Sequence, residues 1–209
     1  MKNRENVFVD IDGTMNVFRK TDHYIIQKMF EKHKQVLICD KLLWKINELD
    51  LISNSMAIFK LRILIYSILS FTSYQRNLKR YEKLYLENTL EELDKNYLLH
   101  LSRLKELGYE IHLVTHNEFT RAFRHLFPIK VLKNKQDYVR TFHKDKKISY
   151  MIGNNYTDDL RTPIRLGIKT IYIGKSKIVR EIIEGKAENF HDIENAVNFI
   201  ITSSSKLKE

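Results

Sequence analysis

After Gly13 the chain runs to Gly108 without another glycine, and its only two prolines, Pro128 and Pro163, lie further on. A stretch so poor in the residues that break helices and make tight turns is constrained to be helical. Its apolar residues agree. Over residues 21–90 they recur at helical spacing: Ile25, Ile26, Met29 and Phe30 behind Asp22, Leu42, Ile46 and Leu49 behind Asp40, then Leu78, Tyr81 and Tyr85 among charges. Only residues 61–71, a mixture of isoleucine and leucine, fit helix and strand equally.

On either side the pattern changes. Val7-Phe8-Val9 is a short β-prone run ahead of the helical stretch. Behind it, Leu93, Tyr97, Leu101 and Leu104 form a helical stripe that Gly108 stops. Residues 111–115, 130–133, 148–152 and 170–173 then read as strands separated by helical segments, and a last helix carries Ile193, Val197 and Ile200. One strand, a long helical insertion and then alternation predict an α/β fold. The expected form is a three-layer Rossmann-like sandwich with a mostly parallel sheet, plus an inserted mainly helical cap. The expected division is an α/β catalytic core of residues 1–14 and 91–209, and a helical cap insertion of residues 15–90.

In such sheets, ligands bind beyond the carboxyl ends of the strands. The first strand ends in Asp10-Ile11-Asp12-Gly13-Thr14. Strand residues alternate faces, so Asp10 and Asp12 are set toward the same side, and Gly13 lets the backbone turn at once. Two carboxylates so close call for a cation. A calcium loop is excluded, because counting from Asp10 its fifth and twelfth positions hold Thr14 and Thr21 rather than a strong ligand and a glutamate. The second strand ends in Thr115, whose hydroxyl suits a phosphoryl oxygen, and Lys130, Lys133 and Lys135 lie around the third. An ammonium beside phosphate and carboxylates serves there as a point charge. After the fourth strand comes Gly153-Asn154-Asn155-Tyr156-Thr157-Asp158-Asp159. Its paired carboxylates can complete a magnesium site with Asp10.

In order and spacing, Asp10-Ile11-Asp12-Gly13-Thr14, Thr115, a lysine, and Gly153-Asn154 with Asp159 resemble the four motifs of the haloacid dehalogenase superfamily. Residues 166–173, Leu-Gly-Ile-Lys-Thr-Ile-Tyr-Ile, extend the likeness into the strand beyond. The resemblance implies a nucleophile on the central strand and a cap inserted after the first motif. It implies that Asp10 attacks phosphorus, and that Asp12 protonates the leaving oxygen and later acts as base on water, its carbonyl helping to hold magnesium. Thr115 and the lysine would hold the transferring phosphoryl group. Lys135, eighteen residues before Gly153, fits the family's shorter members, with Lys133 the alternative. Gly13, Thr14, Thr115, His116, Asn117, Lys133 and Lys135 are the candidate phosphate-binding residues. Asp10, Asp12, Asn154, Asp158 and Asp159 are the candidate metal ligands, Asp159 being favoured over Asp158 by its spacing to Gly167. Asn154 stands where many members carry aspartate.

The reading favoured is a magnesium-dependent hydrolase of a small or medium phosphate ester. The alternatives are a catalytically weak relative that binds phosphorylated ligands or a protein partner, and a phosphatase of nucleic-acid ends. Asp12 argues against dehalogenation, which needs no leaving-group acid at that position. Lys and Arg exceed Asp and Glu by 36 to 26, but the excess is spread along the chain and no nucleic-acid-binding module is visible, which disfavours nucleic acid as partner. A single cysteine, Cys39, excludes an intrachain disulfide framework and a cysteine-based zinc cluster. The first apolar run is too short for an export signal, so the cytoplasm is the expected compartment. Residues 56–71 are rich in isoleucine and leucine, yet Lys60 and Arg62 interrupt them. They suit a buried helix or one lying on a membrane surface better than a transmembrane segment.

Overall fold

The computed structural model describes residues 5–12, 14–15, 18–47, 56–146 and 148–205. Six parallel strands form one sheet in the order β3-β2-β1-β4-β5-β6. They are β1 (Asn6–Asp10), β2 (Glu110–Thr115), β3 (Ile129–Val131), β4 (Ile148–Gly153), β5 (Lys169–Ile173) and β6 (Glu188–Phe190). β1 is central, and its neighbours β2 and β4 leave it in opposite directions, which makes its carboxyl end the switch point where such sheets open a crevice.

Both faces of the sheet are covered, which is why β1 is a continuous apolar run. Val7, Val9 and Ile11 pack with Leu101, Leu104, Ile193, Val197 and Ile200 on one side. Phe8 packs with Val114, Val139, Ile148 and Met151 on the other, so the expected three-layer Rossmann-like sandwich is present. The helices of those outer layers are α5 (Ser102–Glu106) and α9 (Ile193–Ser205) on the first side and α6 (Lys135–Asp145) on the second. Two short helices, α7 (Arg161–Arg165) and α8 (Lys177–Ile183), complete the alternation.

Between β1 and β2 lie α1 (Phe18–Phe30), α2 (Lys34–Asn47), α3 (Met56–Leu69) and α4 (Tyr74–Asn96). The ambiguous residues 61–71 are thus mostly helical. These helices build an apolar cluster of their own from Ile25, Ile26, Phe30, Val36, Ile63, Tyr66, Tyr81 and Tyr85, joined by Phe119 from beyond β2. Asp22 and Asp40, expected to mark helix starts, instead sit within α1 and α2 and are buried. Arg62 and the Tyr81 hydroxyl both donate to Asp22 Oδ1 at 2.5 Å, while the Tyr66 hydroxyl donates to Asp40 Oδ1 at 2.9 Å and His23 Nδ1 lies 2.8 Å from Asp40 Oδ2. Burial opposes the charge on Arg62, but Asp22 more than offsets it and holds the guanidinium protonated.

Residues 90 and 91, where the expected division falls, lie inside α4. That helix passes through a π-helical turn, Tyr97–Leu101, directly into α5. The wider turn keeps Leu93, Tyr97, Leu101 and Leu104 buried along one line, and Gly108 ends the run at φ 95°.

Candidate active site

Asp10 ends β1, Thr115 ends β2, and Gly153 ends β4, so the three strand ends that flank the switch point each deliver one motif. Asp10 is buried, and Lys135 Nζ donates to its Oδ1. The same ammonium donates to Asp159 Oδ1 at 2.9 Å. Lys135 reaches this place because Asn134 caps α6, accepting from the Asp137 N–H at 3.1 Å, and the lysine is the first residue of that helix. Lys133 lies before the cap and is exposed. The structure therefore brings Lys135, not Lys133, to the carboxylates.

Asp159 is placed by its backbone. Asn155 caps the π-helical turn Tyr156–Leu160, accepting from the Asp158 N–H at 3.0 Å. This turns Asp159 inward, where its Oδ2 accepts from the N–H groups of Asn154 at 3.3 Å and Asn155 at 3.0 Å. The approach is so close that a Cβ at Gly153 would lie 2.4 Å from that of Asp159, so only glycine fits. Asp158 points elsewhere, with its Oδ1 3.8 Å from His116 Nε2. His116 in turn bonds the Leu132 carbonyl through Nδ1 at 2.9 Å.

Asp12 is held by two hydroxyls. Thr115 Oγ1 donates to its Oδ2 at 3.2 Å, and the Tyr85 hydroxyl, reaching down from α4, donates to its Oδ1 at 2.7 Å. Thr115 is itself oriented, since its Oγ1 accepts from the Asn117 N–H at 2.9 Å. The Asn117 side chain caps the 3₁₀ turn Glu118–Phe123 by accepting from the Phe119 N–H at 3.0 Å. That turn stands where a second helix was expected. Thr14 Oγ1 approaches Asp10 Oδ2 at 3.5 Å. Gly13 lies outside the described residues.

The electrostatics are unbalanced. Burial pushes the Asp10 carboxyl well above the usual carboxylate range, with Asp159 and Asp12 adding to the rise and Lys135 opposing it. Burial also works against the Lys135 charge, but Asp10 and Asp159 outweigh it and keep the ammonium protonated. Asp10 and Asp159 thus share the Lys135 ammonium, with Asp12 acting on Asp10 from beside it. Magnesium takes oxygen donors, typically one or two carboxylates with waters and substrate phosphate. Asp10, Asp12 and Asp159 are the right chemistry for such an ion. Among the described residues no three His, Cys, Asp or Glu side chains converge as a closed chelating cage.

With these elements in place, the fold is similar to that of solved haloacid dehalogenase-like hydrolases. No protein-family model and no curated protein matches the chain. Among solved structures, a beta-phosphoglucomutase assignment from Thermotoga maritima superposes with a TM-score of 0.55 at 12% identity, over 95% of this chain and 99% of that one. YfnB of Bacillus subtilis, assigned as a HAD-hydrolase and bound to magnesium, gives 0.53 at 16% identity over 82% of this chain and 87% of that one. A haloacid dehalogenase-like family hydrolase from Xanthomonas campestris gives 0.50 at 13% identity over 99% and 95%.

Proposed function

We propose that this chain is a magnesium-dependent phosphohydrolase that cleaves small or medium phosphate esters through an aspartyl-phosphate on Asp10. The observation that carries this reading is the buried series Asp10, Lys135 and Asp159, with Asp12 fixed beside it by Thr115. Asp10 and Asp159 are the side chains that would hold magnesium, and the ion would neutralise charge on the phosphoryl oxygens. Asp10 attacks phosphorus as the bond from phosphorus to the leaving oxygen breaks. Asp12 gives that oxygen its proton. In the second step Asp12 takes a proton from the water that attacks phosphorus, releasing inorganic phosphate and restoring the Asp10 carboxylate. Lys135 meets the ester charged, because Asp10 and Asp159 hold it protonated in the free protein, and so offsets the charge of the incoming ester. Thr115, oriented by the Asn117 N–H, would turn its one O–H from Asp12 to a phosphoryl oxygen when an ester binds.

The helical insertion supplies the roof. Tyr85 closes over Asp12, and the aromatic cluster of Tyr81, Tyr85, Phe59 and Phe119 stands behind it. A roof this close admits a small ester and disfavours a long duplex.

Hydrolysis of an aryl phosphate by the purified protein, with magnesium and after chelation, tests the reading. Turnover is expected only with the metal. Asp10→Asn is expected to remove it by at least ~10⁴-fold while leaving thermal unfolding nearly unchanged. Wild-type hydrolysis by Asp10→Asn, or turnover indifferent to chelation, would overturn it.

A further inference from the structure

α3 is turned inside out. Its polar residues are engaged on its other side: Arg62 with Asp22 and Ser67 with Asn77 inward, and Lys60 with Glu118 at the surface. Outward it shows Ile58, Leu61, Leu64, Ile65, Ile68 and Leu69, each between 39% and 64% exposed. At the 100° per residue of an α-helix, these six fall within an arc of about 140°. Phe71, 98% exposed and at φ 54°, continues the row past the end of the helix. Over residues 58–71 every exposed position is one of these seven large apolar side chains. Together they present on the order of 700 Å², more than the ~300–600 Å² of the largest patch on an ordinary monomer.

Charge indicates what covers this face. Residues 51–81 contain no Asp or Glu, but hold Lys60, Arg62, Arg76, Lys79 and Arg80. Arg80 is drawn to the carbonyls of Lys28 and Met29 at the end of α1. Arg76 and Lys79 stand exposed on the first turns of α4, just past the turn that carries Phe71. Pairing with a second copy would bury the apolar row but lay the basic Arg76 and Lys79 of one copy near those of the other. An anionic surface gains from both features. At 14 residues α3 is ~21 Å long, short of the ~30 Å hydrocarbon core, and among the described residues no helix is long and apolar enough to cross a membrane.

We propose that α3 and Phe71 dock this protein on an anionic lipid surface, the apolar row entering the acyl boundary while Arg76 and Lys79 meet the headgroups. Co-sedimentation of the full chain with vesicles tests this, using phosphatidylcholine alone and phosphatidylcholine mixed with phosphatidylglycerol. Binding is expected to be at least ~10-fold tighter to the mixed vesicles and to weaken as salt is raised. Joint substitution Leu61→Glu and Ile68→Glu is expected to weaken binding at least ~10-fold with thermal unfolding unchanged. Phe71→Glu, at a fully exposed position, gives the same reading if the double variant does not fold. Joint Arg76→Glu and Lys79→Glu is expected to lower binding to the level seen on neutral vesicles. Wild-type protein that ignores both vesicles would overturn the proposal. If that protein also dimerises in sedimentation equilibrium, and Leu61→Glu with Ile68→Glu makes it monomeric, a second copy covers the face instead.

Discussion

Among the described residues an ionic cluster is buried at the strand ends and another in the helical insertion, and they differ in what surrounds their carboxylates. In the insertion, Asp22 meets one guanidinium and one phenol, and Asp40 meets a phenol and a histidine. In the core, Lys135 faces Asp10 and Asp159, and Thr115 and Tyr85 reach Asp12. Carboxylates whose partners come from neighbouring helices hold those helices together. Carboxylates gathered at a switch point instead face the crevice where ligands bind, and that position is what sets them apart from a strut.

Substituting the single strong cation of each cluster by a residue of similar length puts the contrast at risk. Lys135→Met is expected to lower aryl-phosphate hydrolysis by at least ~10³-fold, with millimolar magnesium recovering part of any loss in melting temperature. Arg62→Met is expected to cost ~3–5 kcal/mol of stability, because Asp22 is left as a lone buried charge, and magnesium should recover none of it. Equal rescue of both by the metal would erase the distinction. Within the core cluster, Asp12→Asn should reduce kcat by ~10²-fold without altering chemical denaturation, since it removes a proton carrier rather than a support. Tyr85→Phe takes away one of the two donors that fix the Asp12 carboxyl, and a ~3–10-fold fall in kcat/KM is expected.

The smallest effect lies away from both clusters. His112 is buried beside Phe8 and Phe142, and burial lowers its affinity for a proton from the ordinary 6.5. The unfolded chain therefore binds the proton more tightly, so stability should fall as pH drops through 6.5 and level off below the folded value. Melting temperatures at pH 7.5 and 5.5 should differ more for the wild type than for His112→Gln.

Much of the core was legible because its signals are local. A β-prone run ending in Asp10 and Asp12, Thr115 at a strand end, and Gly153 with Asp159 are each readable within a few residues. The choice between Lys133 and Lys135 depended on where α6 begins, which the Asn134 cap decides. The choice between Asp158 and Asp159 depended on a single turn of backbone. Tyr85 left no signal at all, being one of 11 tyrosines and 73 positions from the carboxylate it touches. Asp22 and Asp40 were misleading for a related reason. An acidic residue ahead of an apolar helical run has the pattern of a cap, and only the packed partner, 40 residues on in Arg62, reveals a buried anchor. β6, three mostly exposed residues at the sheet edge, had too little apolar character to stand out.

The unbroken passage from α4 through the π-helical turn into α5 makes this helix a lever arm rather than a tether. Tyr85 sits twelve residues from Tyr97, an arm of ~18 Å at the rise of an α-helix. A bend of only ~10° at the π-helical turn, the kind of place where helices give way, swings the Tyr85 hydroxyl by ~3 Å. That distance is enough to sever its bond to Asp12. On the proposed mechanism, a bend that lifted the roof would in the same movement release the Asp12 carboxyl.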